Sequence, residues 1–254
     1  MEVDMNRVRI ILVGDSTVMS YAQALSPQAG WGEQLIRYFS DLEFSVHPSP
    51  GSSFSNAVCY ESDAVVIDNR AMGARSVKTY TEEGRTADVL ASLLPGDYLL
   101  MQFGHNDANG EKPDRYVPPE EFKERLLCDF ITPARERGAR PVLVTPLAMR
   151  VFNEAQVCEP SFPAYREAML SLAGREKLPI IDLGGLSAAY NTRIGAEACK
   201  SLYLWIPTRV FPHWPEGSAD DAHLQAGGAA IYAELVAREL KRIILHAQSM
   251  AEQS

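Results

Sequence analysis

Five apolar runs recur along the chain: RVRIILVG (7–14), DAVVID (63–68), DYLLMQFG (97–104), ARPVLVTP (139–146) and LPIIDL (178–183). Runs apolar at nearly every position, not at every second one, suit strands buried on both faces, which parallel sheets covered by helices provide. Helix-like stretches lie between the runs. GWGEQLIRYFSDL (30–42) spaces Leu35, Ile36 and Phe39 on one face, and PPEEFKERLLCDFITPARERG (118–138) does the same with Phe122, Leu126, Leu127 and Phe130. Pro118 and Pro119 suit the start of the second helix and Gly138 its end. FPAYREAMLSLAGREK (162–177) and AGGAAIYAELVARELKRIILHAQ (226–248) complete the set. This alternation predicts an α/β fold of one domain over residues 1–254, a three-layer α/β/α sandwich around a central parallel sheet. The stretches 45–62, 103–117 and 201–223 read as loops, and loops on such a scaffold are where chemistry concentrates.

Composition narrows the partners. With 24 basic and 33 acidic residues the formal charge is −9, which disfavours nucleic acid or an anionic membrane surface. Cys59, Cys128, Cys158 and Cys199 are scattered, with no C-x-x-C pair and no histidine at zinc-ligand spacing, so no metal or other cofactor is expected and the thiols read as reduced and structural. The opening MEVDMNRVRI lacks the basic-then-apolar pattern of a secretory signal, and no apolar run reaches spanning length. A cytoplasmic protein is expected. Oligomeric state is not legible.

The first run stops at Gly14-Asp15-Ser16-Thr17, which admits two readings. One is a turn and helix cap: Gly14 permits a sharp turn, and Asp15 or Ser16 accepts a backbone N–H at the start of a helix. The other makes Ser16 a nucleophile at the carboxyl edge of the sheet and the positive end of a helix, where open α/β sheets place their ligands. A serine nucleophile needs a histidine to take its proton and a carboxylate to orient that histidine. Asp220-Asp221-Ala222-His223 has both groups, and equally reads as a solvated acidic turn. An oxyanion needs N–H donors. Asn106, in Gly104-His105-Asn106-Asp107 after the third run, is either such a donor or the centre of an Asx turn. Gly73 and Ala74 in NRAMGARS (69–76) lie on a turn that would add a backbone N–H.

In their order, GDST, NRAMGARS, GHND and the terminal D-x-x-H resemble the four blocks of the SGNH (GDSL-like) hydrolase family. GWGE (30–33), YTEEGR (80–85), GDYLLMQFGHND (96–107) and PVLVTP (141–146) are similar to its rhamnogalacturonan-acetylesterase-like branch. The resemblance implies a flavodoxin-like sandwich, with Ser16 as nucleophile, His223 as general base and then acid, and Asp220 as orienting carboxylate. Asp221 is the alternative acid. It implies an oxyanion held by the Ser16 N–H, the Asn106 side chain and a backbone N–H of the second block. The family has glycine directly before Arg-Ser, where this chain has Ala74 after Gly73. That substitution is compatible with a turn that does not need a positive φ. Asp15 reads as a structural hydrogen-bonding residue.

The activity so implied is a serine-type carbohydrate O-acetylesterase acting on acetylated plant cell-wall oligosaccharides, pectic (rhamnogalacturonan) or xylan-derived. Two alternatives stand beside it: a broad short-chain esterase, and a catalytically silent glycan-binding protein. Trp205, Phe211 and Trp214 in LWIPTRVFPHWPEG (204–217) are candidate sugar platforms. Arg75, Arg85 and Arg150 are candidates to meet an acidic glycan, and equally structural ion-pair residues.

Overall fold

The structure, a computed structural model, describes residues 7–39 and 43–252. Residues MEVDMN at the start and the last residues of the helix expected at 30–42 lie outside them. The strands are β1 (Val8–Gly14), β2 (Gln28–Ala29), β3 (Ser45–Pro48), β4 (Val58–Glu61), β5 (Val65–Asn69), β6 (Tyr98–Gln102), β7 (Arg140–Val144), β8 (Ile180–Ile181), β9 (Tyr203–Ile206) and β10 (Ser218–Gln225).

The main sheet has the order β3-β4-β5-β1-β6-β7-β8. Its five apolar runs form the parallel part, β5-β1-β6-β7-β8, and the chain steps from β1 to β5 on one side before crossing to β6 on the other. That reversal makes the carboxyl ends of β1, β5 and β6 the switch point where open α/β sheets bind ligands. β1 shows why both faces must be covered. Ile10 and Leu12 enter a core shared with the long helix Ala226–Glu252, and Ile11 and Val13 enter the opposite core with Phe103, Phe122, Phe130 and Met169.

The predicted sandwich is therefore present, with additions. β3 and β4 add an antiparallel edge, and β2, β10 and β9 form a small antiparallel sheet of their own. β3, β4 and β9, and β10 up to His223, lie in stretches read as loops. The helix expected at 30–42 is a short α-turn, Trp31–Gln34, followed by a tighter 3-10 turn, Leu35–Tyr38. The helix at 118–138 has a wide π-turn over Leu126–Ile131, next to Pro133, which has no N–H to donate to the ladder. Gly138, at φ 75°, ends it, with Ala139 N–H donating to Ala134 O and Gly138 N–H to Arg135 O. The four cysteines form no disulfide. Among the described residues no helix is long and apolar enough to cross a membrane.

Candidate active site

Gly14 ends β1 without a positive φ; it is required because a Cβ there would lie 2.5 Å from the Gln102 carbonyl at the end of β6. The chain then makes a turn, and no helix follows it: Val18 N–H and Met19 N–H both donate to Asp15 O. Ser16 is thus not at a helix N-terminus, although both readings of GDST place a helix there. Its side chain is presented by the turn itself, and within the run 10–18 Ser16 alone is not buried. Tyr21 holds it from behind, its hydroxyl donating to Ser16 O over 2.9 Å.

Asp15 is fully buried and locks this turn to the third block. Its Oδ1 accepts from Thr17 N–H and the Thr17 hydroxyl at 2.9 and 2.8 Å, and its Oδ2 lies 3.1 Å from His105 Nδ1. Burial alone would raise the Asp15 pKa, but the His105 charge and these hydrogen bonds outweigh it and hold the carboxyl below its ordinary value. Gln102 adds a second tie, donating to Thr17 Oγ1 at 2.5 Å and accepting from Trp31 Nε1 at 2.8 Å. Asp107 joins the third block to the second: it accepts from Gly104 N–H and from Val77 N–H, both at 2.9 Å. Burial pushes its pKa up to about 7, against the opposing pull of those N–H groups.

The small sheet ties the strand that carries His223 to the Ser16 turn. Leu224 pairs with Ala29 on β2, and the next residues return to that turn: Trp31 N–H donates to Thr17 O at 2.8 Å, and Gly30 lies so close that a Cβ would stand 2.2 Å from Met19 O. Between Ala219 and Leu224 the β10–β9 ladder shifts register, which frees residues 220–223 from strand pairing. There Asp220 Oδ2 lies 2.7 Å from His223 Nδ1, while Asp220 Oδ1 accepts from the N–H groups of Ala222 and His223 at 2.7 and 2.9 Å. The backbone of Ala222 thus contributes to the acid's hydrogen bonding although its side chain cannot. Burial opposes ionisation of Asp220, but the His223 side chain and these N–H groups more than offset it, and the pKa falls to about 2. The hydrogen bond with Asp220 in turn raises the His223 pKa; burial opposes this, and the charges of Asp220 and Asp15 add to it. Asp221 is turned elsewhere, its Oδ1 accepting from Arg150 Nε at 2.6 Å and Trp205 Nε1 at 2.8 Å.

The second block comes alongside Ser16. A Cβ on Gly73 would be 3.4 Å from Ser16 Cβ. The Gly73 N–H is taken by the Met19 sulfur at 3.1 Å. Among the described residues nothing accepts from the Ala74 or the Ser16 N–H. Ala74 has φ 63°, so the turn does need the left-handed conformation, and alanine adopts it where the family resemblance implies glycine. Asn106 Nδ2 donates to Arg75 O at 3.1 Å, beside Ala74, and keeps its second N–H.

Several expected substrate contacts are engaged within the protein. Arg75 and Arg85 both pair with Glu83, and Arg150 pairs with Asp221. The guanidinium of Arg150 and the ammonium of Lys200 lie over the Trp205 ring, 4.5 and 4.7 Å from its centroid, so Trp205 packs against cations and is not an open platform. Trp214 is half-buried, donating to Leu25 O at 3.3 Å. Two cavities, of about 740 and 660 Å³, lie at the β3–β4 edge and at the amino ends of β6–β8, and hold none of these residues. Tyr21 and Arg115 lie outside the motifs quoted above, and only the assembled site shows their contacts; Gln102 lies within GDYLLMQFGHND but carries no role there until its ties to Thr17 and Trp31 are seen.

A switch-point turn with a partly exposed serine, the GHND turn and a terminal D-x-x-H pair are the blocks that the resemblance to the SGNH (GDSL-like) hydrolases implies. No family model matches the chain. It is 33% identical to the rhamnogalacturonan acetylesterase RhgT of Bacillus subtilis over 93% of this chain and 90% of that protein. It is 36% identical to the probable rhamnogalacturonan acetylesterase YesY of the same organism, over 92% of this chain and 93% of that one. The solved structure of YxiM from Bacillus subtilis superposes with a TM-score of 0.73 at 30% identity, covering 94% of this chain and 57% of that chain. The chain belongs to the rhamnogalacturonan acetylesterase family.

Proposed function

We propose that this protein, acting as a single catalytic domain, is a serine-type carbohydrate O-acetylesterase that removes acetyl groups from pectic oligosaccharides of the rhamnogalacturonan class. Ser16 is the nucleophile, His223 the base and Asp220 its orienting acid. The observation that carries this is the set of groups left free around Ser16: the Ser16 and Ala74 N–H groups, and the second Asn106 N–H. Such unspent donors suit an oxyanion. Gly73, its N–H engaged by Met19, is not assigned as a donor.

His223 Nδ1 faces Asp220, which fixes the tautomer with Nε2 free to accept the Ser16 proton. Ser16 Oγ attacks the acetyl carbonyl, the oxyanion draws on the three donors, and His223 returns the proton to the departing sugar oxygen. Water, deprotonated by the same imidazole, then attacks the acetyl-enzyme and releases acetate, and the imidazole hands that proton to the departing Ser16 Oγ. None of these steps calls on a metal or organic cofactor. The pectic substrate is supported by the names of the curated relatives. With Arg75, Arg85 and Arg150 in ion pairs, the sugar side falls to the 207–217 loop and Trp214.

The test is acetate release by wild type, Ser16→Ala and His223→Ala on acetylated pectic fragments, acetylated xylo-oligosaccharides and an aryl acetate. Each substitution is expected to lower kcat by about 10⁴-fold, with the pectic fragments the best substrate for wild type. Full turnover by Ser16→Ala would refute the mechanism. Preference for xylo-oligosaccharides would overturn the substrate alone.

A further inference from the structure

We infer that Arg115 is a positioning residue for catalysis: it clamps the Asn106 amide so that its free N–H meets the oxyanion. The inference rests on Asn106 being an oxyanion donor. Arg115 lies in the turn that follows GHND, fixed there by Arg115 N–H and Tyr116 N–H, both donating to Lys112 O, and by Val117 N–H donating to Asp107 O. From that turn Arg115 Nη1 donates to Asn106 Oδ1 over 3.0 Å, while Asn106 Nδ2 donates to Arg75 O over 3.1 Å. An amide held at both ends has its plane and its orientation set. The oxygen faces the guanidinium, one N–H is spent on Arg75, and the other has a single direction.

The partners of Arg115 separate this arrangement from an ordinary structural arginine. Arg75, Arg85 and Arg150 have carboxylate oxygens at 2.8, 2.7 and 2.6 Å. The nearest carboxylate to Arg115 is the exposed Asp114, 3.8 Å away, and the buried Arg115 Nε has no hydrogen-bond partner. Buried guanidinium donors are normally satisfied. Here the side-chain hydrogen bond of a weakly neutralised cation goes to a neutral amide. A cation on the amide oxygen polarises the group and strengthens its N–H as a donor, in the direction in which the oxyanion charge develops.

The experiment compares Arg115→Met, Arg115→Lys, Asn106→Ala and the double variant Arg115→Met/Asn106→Ala, on an aryl acetate that carries no sugar, with each variant's Tm measured. Arg115→Met is expected to lower kcat by about 10- to 100-fold with KM within about threefold, less than the ~10² to 10³ lost with the Asn106 donor itself. Arg115→Lys is expected to recover most of that loss. The double variant is expected to be no slower than Asn106→Ala, because Arg115 acts only through that side chain. A loss from Arg115→Met that persists undiminished in the Asn106→Ala background, or one confined to KM, would overturn the role of Arg115 and leave that of Asn106 standing. Wild-type kcat in Asn106→Ala would remove the oxyanion assignment, and the inference with it.

Discussion

Ala74 carries the most quantitative expectation. An L-residue in the left-handed region sets its Cβ against its own carbonyl oxygen, at a cost of roughly 1–2 kcal/mol, and Ala74 sits there at φ 63°. The turn is held from outside: Arg75 Nη1 donates to Gly73 O at 2.9 Å, Gly73 N–H reaches Met19, and Asn106 binds Arg75 O. Ala74→Gly removes the Cβ clash and adds about 0.5–1 kcal/mol of unfolded-chain entropy, so a net stabilisation of about 0.5–1 kcal/mol is expected. For a chain of this size that corresponds to a Tm about 1–4 °C higher. The N–H at this position belongs to the backbone and stays in place, so kcat on an aryl acetate should remain within about twofold of wild type. Ala74→Val, branched at Cβ, should do the reverse and lose stability. Urea unfolding at constant m-value, beside initial rates, reads both quantities. A lower midpoint for Ala74→Gly, or a Val variant as stable as wild type, would refute the strain argument.

The acid limb of kcat/KM should lie above the ordinary histidine range, because activity needs neutral His223 and Asp220 raises its pKa; Asp220→Asn should lower kcat about 10³- to 10⁴-fold and move that limb to lower pH. A limb that stays in place would show that another group titrates. Asp221→Asn should cost about 1–2 kcal/mol of stability, discounted for the partial exposure of Asp221, yet leave kcat within a few-fold, since Asp221 binds Arg150 and Trp205. Equal damage from Asp221→Asn and Asp220→Asn would reverse the acid assignment. Asp107, buried with a pKa of about 7, keeps its proton where the unfolded chain, titrating near 3.9, has lost it. Stability should therefore decline as pH rises from about 4 towards 7, and the raised His223 pKa adds to the decline in the upper part of that window. Urea midpoints at pH 5 and pH 8 test this, and Asp107→Asn should flatten the difference; an unchanged slope in that variant would count against Asp107 as its source.

What was legible in the sequence follows burial. The five parallel strands are apolar on both faces, and such runs stand out. β3 is nearly all exposed and holds His47 and Pro48, β2 is two residues long, and β9 and β10 lie among prolines and charges, so their pairing depends on distant partners and leaves no local pattern. Ser16, Asn106, Asp220 and His223 stand out as candidates because their blocks follow the order that the family resemblance implies. Asp15 was read as a hydrogen-bonding residue, a role its contacts with Thr17 and His105 fill. Arg115 and Tyr21 were not readable, because an arginine or tyrosine side chain is given its use by what it meets. Trp205 shows the converse: its residue type suggested a sugar platform, and its neighbours, two cations and a carboxylate, decide otherwise.

The slip in the β10–β9 ladder has a consequence for how such an enzyme diversifies. Asp220 and His223 sit three residues apart in a span without strand partners, and the hydrogen bonds that join them are made within that span, which Arg150 anchors from outside through Asp221. The surrounding strands decide only where the pair is delivered. On the proposed function, changes in the 207–217 loop are expected to leave the Asp220–His223 hydrogen bonds in place, because none of them is made there. Grafting residues 218–225 onto another member of the fold, with Arg150 supplied as anchor, is expected to carry the Asp220–His223 hydrogen bond with it.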